Sequence, residues 1–176
     1  MVELRDWPGR AVAEQLRQWP HIRELAEAAA RSPFLGLVLL GSFARGDADQ
    51  LSDVDFIVFV EEGRFGEGWQ RRHALHPGDA ACWDYEPPPD RDVAGHRWLT
   101  SDLVLFDGLL ATPSGTRVAD PFHVLVGHES LDGQLVRREP LTEEEQDERS
   151  DEIALHDIET LYGRLKLAFR AQRSRR

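Results

Sequence analysis

Cysteine occurs once in the 176 residues, at Cys82, so no intramolecular disulfide can form and no cysteine cluster exists to hold structural zinc. That excludes a disulfide scaffold and makes a cytoplasmic protein the expectation. Long apolar runs are also missing: no stretch reaches the roughly 18 residues of a bilayer-spanning helix. The opening residues, MVELRDWPGRAVAEQL, lack the basic stretch and apolar core of a secretion signal. Positive charge is scarce, with 21 basic against 32 acidic side chains and a formal charge of −11. An acidic surface repels a phosphate backbone, so a role that tracks DNA or RNA as a polymer is disfavoured unless positive charge gathers in one patch. Lysine is nearly absent as well: Lys166 is the sole one, and the arginine bias carries no functional information.

What is present, 41% hydrophobic and 30% charged residues, suits one soluble domain with a real core but not two full-sized ones. Residues 8–31 read as two helices split by Pro20, the second carrying Ile22, Leu25, Ala26, Ala29 and Ala30 at helical spacing. Phe34 to Leu40 is a continuous apolar run fitting a buried strand, and Asp53 to Val60 is a second, β-branched and aromatic one. A short helix is expected around Gly68 to Leu75, a strand from His96 to Phe106, and a weaker strand near Thr116 to Val126 with an edge or bend at Pro121. Thr142 to Glu145 form a capping box opening a long helix, with a break expected near Ser150. The expected fold class is α+β (α/β), a small mixed sheet flanked by helices. It forms a single domain with a core of about residues 20–130 and a C-terminal helical segment over 141–173.

The stretch that carries chemistry is Leu40-Gly41-Ser42-Phe43-Ala44-Arg45-Gly46, a spacer to Ser52, then Asp53-Val54-Asp55. A strand ending in Gly-Ser and turning into a helix presents unpaired backbone N–H groups and a hydroxyl, the makings of an anion cradle. Asp53 and Asp55 lie two apart on a strand, so both carboxylates share a face with their Cα atoms roughly 6.5–7 Å apart. Two like charges there are costly unless compensated, and Mg²⁺ held by carboxylates and substrate phosphates is a natural compensation. Anion cradle and cation site on neighbouring strands together point to Mg²⁺-nucleotide chemistry.

The string GSFARGDADQLSDVDFIVFV resembles the signature of the DNA polymerase β-like nucleotidyltransferase superfamily, over about residues 36–60. The resemblance implies the nucleotidyltransferase fold and transfer of a nucleoside monophosphate from a triphosphate to an acceptor, with release of pyrophosphate. It implies two Mg²⁺ ions and ATP or another NTP, with Gly41 and Ser42 gripping the phosphates. Asp53 and Asp55 then act as catalytic metal ligands, joined by a third carboxylate on a nearby strand. Asp102 is the preferred third carboxylate and Asp107 its rival; on one continuous strand the two face opposite sides, and Asp107-Gly108 reads as a turn. Arg45 either neutralises charge on the leaving group or pairs with Asp47 or Asp49.

Other residues read more blandly. Trp69, Trp83, Trp98 and Tyr85 suit packing before stacking on a base or acceptor ring. His73 and His76, three apart on a helix without a clear third ligand, do not make a zinc site. Cys82-Trp83-Asp84-Tyr85-Glu86 sets acid beside aromatics, either an exposed strand edge or a surface for a cationic acceptor such as an aminoglycoside. The acceptor is expected to be a small molecule, an antibiotic among the candidates, since the chain leaves no room for a separate acceptor domain; failing that, a second subunit or partner holds it. The alternative is an antitoxin-like member that adenylylates a HEPN-type partner protein. Neither a nucleic-acid polymer nor a membrane is an expected partner.

Overall fold

In a computed structural model the residues described are 2–85, 87, 91–128 and 130–138. They belong to one compact unit, Met1–Arg138. The expected helix from Thr142 lies outside the described residues.

Two short helical segments lead in, α1 (Arg10–Ala13) and α2 (Trp19–Ala29). Pro20 lies in the first turn of α2, where its fixed φ and missing N–H cost nothing, so it opens that helix. Ile22, Leu25, Ala26 and Ala29 are its buried stripe. The apolar run becomes β1 (Phe34–Leu39), α3 (Gly41–Arg45) follows at once, and β2 (Val54–Val60) returns antiparallel to β1. The expected short helix forms as α4 (Phe65–Arg71) and a 3₁₀ turn (Arg72–Leu75). Then come β3 (Ala81–Asp84), β4 (Val93–Leu99), β5 (Leu105–Ala111), β6 (Val118–Ala119), β7 (His123–Gly127), α5 (Leu131–Gln134) and β8 (Arg137–Arg138). Pro121 separates β6 from β7, the bend expected of it.

The main sheet has six strands in the order β3-β4-β5-β2-β1-β7, mixed because β2 and β5 run parallel while its other pairs are antiparallel. Period-two alternation splits its side chains into two layers. Phe56, Val58, Trp98, Phe106 and Leu110 join the core packed with α2, whereas Ile57, Phe59 and Ala111 join Val38, Val118 and Leu131 in a second core. Asp55, two residues before Ile57, shares that second face.

One expectation is corrected here. Residues 96–106 are not one strand: β4 stops at Leu99 and the chain reverses into β5, Trp98 facing Phe106 and Leu99 facing Leu105. Thr100 closes the turn, its N–H donating to the Val104 carbonyl at 3.0 Å and its Oγ1 accepting from the Val104 N–H at 2.9 Å. Leu103 takes the left-handed conformation, φ +67°, that such a turn requires.

Candidate active site

The site is built where β1 ends and β2 begins. Leu40 N–H donates to the Asp55 carbonyl at 3.0 Å, which ties the turn into α3 to the start of β2. Gly41 then adopts φ +58° with its α-carbon against the Asp55 side chain, so that a Cβ there would stand 2.1 Å from Asp55 Oδ2. Glycine is required on both counts. Ser42 follows in the first turn of α3, whose leading amides have no acceptor within the helix.

Asp55 meets this turn, and two further carboxylates act on it. Asp53, exposed, precedes β2 by one residue, and Asp55 is half-buried. In the parallel register Asp55 stands opposite Asp107, about one strand spacing of 4.8 Å away. Burial, and then the charges of Asp53 and Asp107, push the Asp55 carboxyl up to about 6, with Arg45 and Arg97 acting in the opposite direction. Asp107 in turn faces Arg97 across the β4–β5 pair and accepts a hydrogen bond from its Nε. The Arg97 guanidinium also lies 5.1 Å over the Tyr85 ring and donates to the Tyr85 hydroxyl at 3.2 Å. Asp55, Asp107, Arg97 and Trp83 thus form one row across four strands.

Asp102 stands elsewhere. It occupies the hairpin turn, where its Oδ1 accepts from Thr100 Oγ1 at 2.6 Å and both carboxylate oxygens lie 3.1 Å from His21 Nε2 on α2. Arg17 donates to its carbonyl at 3.2 Å. The Thr100 hydroxyl, and then His21, hold its carboxyl below the usual range. These contacts fasten the turn to α2, and the charges acting on Asp55 are those of Asp53, Asp107, Arg45 and Arg97. The preference for Asp102 assumed a continuous strand over residues 96–106, which the β4–β5 turn interrupts; Asp107, two residues into β5, stands opposite Asp55. Arg45 follows the surface alternative, pairing with Asp47 at 3.1 Å, both side chains exposed.

Sequence reasoning did not single out Arg97 and ranked Asp107 as the rival of Asp102, reading Asp107-Gly108 as a turn. The alternation Val104-Leu105-Phe106-Asp107-Gly108-Leu109-Leu110-Ala111 was the available signal, since it continues a strand through Asp107-Gly108. The remaining aromatics divide: Trp98 is buried and stacked on Phe106, Trp69 lies under Arg72, and Tyr85 is exposed. Asp84 points away from the carboxylate row, accepting from Arg72 Nε at 2.8 Å and from His96 Nδ1 at 2.6 Å. Cys82 Sγ lies 3.2 Å from His76 Nε2, and His73 Nδ1 is 3.2 Å from that same nitrogen. Among the described residues no three His, Cys, Asp or Glu side chains surround one point at which a metal could sit as they are placed. Nor is any described helix long and apolar enough to cross a membrane.

The sequence model of the family described as nucleotidyltransferase domain matches residues 22–104. Over those residues, just under half of its length, the chain is similar to a nucleotidyltransferase domain. Its class is that of transferases of phosphorus-containing groups, and nucleotidyl transfer to an acceptor is the general reaction. The match takes in Gly41, Ser42, Asp53 and Asp55 as well as Asp102, and it ends three residues before Asp107. No curated protein matches the chain. Nucleotidyltransferases generally use an NTP with a divalent metal, and the site's chemistry fits one. Its donors are hard carboxylate oxygens, Asp55 carries more negative charge nearby than Arg45 and Arg97 offset, and the missing Cβ of Gly41 leaves the Asp55 carboxylate its place at the turn.

Proposed function

We propose that this nucleotidyltransferase moves a nucleoside monophosphate, AMP from ATP as the first case to test, onto a hydroxyl of a small-molecule acceptor with release of pyrophosphate. Asp53, Asp55 and Asp107 are its carboxylate set, with Asp107 in the role the sequence reading gave Asp102. The observation that carries this is the Asp55–Asp107 register, with Gly41 packed against the Asp55 carboxylate and the charges of Asp53 and Asp107 both acting on it. A cytoplasmic setting accords with the single cysteine and with a nucleoside triphosphate as substrate.

Mg²⁺ ions held by Asp53, Asp55 and Asp107 would neutralise the triphosphate and lower the pKa of the acceptor hydroxyl. The chain's own groups orient the rest. Ser42 and the first-turn amides of α3 hold phosphate oxygens, donating hydrogen bonds where charge accumulates on the leaving group. Asp107, on the acceptor side of the row, orients the hydroxyl for in-line attack on the α-phosphorus. The new bond joins acceptor oxygen to that phosphorus, the bond to the β-phosphate oxygen breaks, and the hydroxyl proton passes to a carboxylate oxygen or to water.

The test is pyrophosphate release from each labelled triphosphate with Mg²⁺ and a panel of hydroxylated acceptors. Asp55→Asn and Asp107→Asn should each lower turnover at least a hundredfold, while Asp102→Asn keeps most of it. Folded protein that releases no pyrophosphate with any pairing would refute the proposal. Label appearing on a co-purifying helical protein would move the acceptor from small molecule to protein partner.

A further inference from the structure

The Arg97–Asp107 pair is not accounted for by folding alone. Both side chains are about one-third exposed, at 31% and 33%, so neither is trapped by packing, and a pair this accessible contributes little to stability. What the pair does is direct one oxygen of the carboxylate beside Asp55 toward a guanidinium on the neighbouring strand. The same guanidinium has a second perch. Tyr85 offers its ring face and its hydroxyl, and its ring can lie across β4 because Gly95 is glycine: a Cβ there would stand 2.8 Å from Tyr85 Cδ2. Asp53, Asp55 and Asp107 are near neighbours in the sheet, and as placed they do not surround a common point.

We infer that Arg97 is a competing counter-cation: it holds Asp107 until a divalent ion takes that carboxylate, and it then stays on the Tyr85 ring as a cation on the same face. This rests on the reading of Asp107 as a metal ligand. Two opposite demands produce the arrangement. Three carboxylates gathered at one turn repel one another, so a folded chain needs a local cation, yet a permanent cation would exclude the divalent ion. An arginine on an accessible pair satisfies both, because a doubly charged ion out-competes it for Asp107 and repels it towards Tyr85. Arg97 acts through Asp107 and is therefore a positioning residue. It also bears on the phosphates, since a released guanidinium keeps a planar fork suited to phosphate oxygens.

The experiment is Mn²⁺ titration of the full chain by calorimetry, without nucleotide, on the parent protein and on Arg97→Gln, Arg97→Lys, Asp107→Asn and the Arg97→Gln/Asp107→Asn double variant. Arg97→Gln should tighten Mn²⁺ binding about tenfold, and Arg97→Lys, which keeps the charge, should stay near the parent. Asp107→Asn should weaken binding at least tenfold, with no further effect of Arg97→Gln in that background. Should Asp107→Asn leave affinity unchanged, the assignment of Asp107 as a ligand fails and the inference falls with it. Should Asp107→Asn weaken binding while Arg97→Gln fails to tighten it, the competition is wrong and the site assignment stands. A second readout needs no variant: the Arg97 Nε–H proton resonance in the parent protein should move upfield as Mg²⁺ is added, and a resonance unmoved at saturation overturns the inference.

Discussion

Gly41→Ala probes the contact on which the site depends, and it separates two costs that usually travel together. The first is conformational. An alanine at φ +58° carries about 1–2 kcal/mol of left-handed strain, offset by about 0.4–1 kcal/mol because the unfolded chain becomes less flexible. The second is local to the chemistry. The new Cβ would lie 2.1 Å from Asp55 Oδ2, and contacts under 3.0 Å are essentially never seen, so the carboxylate has to retreat by nearly an ångström. Displacing a reacting group by about 1 Å costs on the order of a hundredfold in rate. Gly63→Ala is the matched control, because Gly63 has φ +74° and nothing within 4 Å of a Cβ. Urea denaturation should show both variants destabilised by a similar amount, roughly 1 kcal/mol. Pyrophosphate release should fall about a hundredfold for Gly41→Ala alone. Equal activity in the two variants, at equal loss of stability, would refute the claim that Gly41 is there to admit the Asp55 carboxylate.

Stability should depend on pH through Asp55. Its folded pKa, about 6, lies above the unfolded value, so its contribution is full below pH about 4 and is lost as pH rises through 6. Asp55→Asn should therefore flatten the stability profile between those values and raise stability at pH 8 by up to about 3 kcal/mol, read as a higher melting temperature, while abolishing transfer; a parent profile flat from pH 4 to 7 contradicts this. Asp102 has the opposite sign: its carboxyl is held low by Thr100 and His21, so its contribution is present at neutral pH and lost as pH falls below the usual carboxylate range. Asp102→Ala should loosen the hairpin by no more than about 1 kcal/mol in urea titrations and leave turnover near the parent value, whereas a hundredfold loss of turnover would restore Asp102 to the site. Leu103, 66% exposed at φ +67°, should yield about 0.5–1 kcal/mol of stability when replaced by Asn, and destabilisation in the same titration would dispute the turn.

Legibility in the sequence followed how far local pattern and final packing agreed. β1 and β2 were readable because both faces are covered, so their residues are apolar without interruption. The Gly-Ser turn and Asp53-x-Asp55 were readable for a different reason, since their chemistry lies in residue type and spacing. The β4–β5 hairpin was hidden because its turn uses no Gly, Asn or Pro: Leu103 bears the positive φ, and the Thr100 hydroxyl supplies the closing bond. The apparent turn at Asp107-Gly108 misled for a packing reason. Gly108 sits in mid-strand because the Phe56 ring lies over it, and a Cβ there would stand 2.3 Å from that ring. A glycine kept for an aromatic neighbour looks, in one dimension, like a glycine kept for a turn. Misreading it hid the strand beyond Phe106 and ranked Asp107 behind Asp102.

The same sheet geometry changes what the acidic, aromatic segment at β3 can mean for the acceptor. On sequence alone, Cys82-Trp83-Asp84-Tyr85-Glu86 offered carboxylates beside rings, a setting for a cationic compound. Alternation along β3 separates those features: Trp83 stands in register with Arg97 on the face of the carboxylate row, whereas Asp84 turns to the opposite face, where Arg72 and His96 engage both its oxygens. Glu86 lies outside the described residues. Along the row from Asp107, the next charge met is therefore the positive one of Arg97, and Trp83 stands about 10 Å away, two strand spacings across the sheet. A polycation seated along that row would meet a like charge before it reached an aromatic surface. An acceptor with a hydroxyl near Asp107 and a neutral or anionic ring toward Trp83 and Tyr85 meets complementary groups at each step, which makes such compounds the first to include in the acceptor panel.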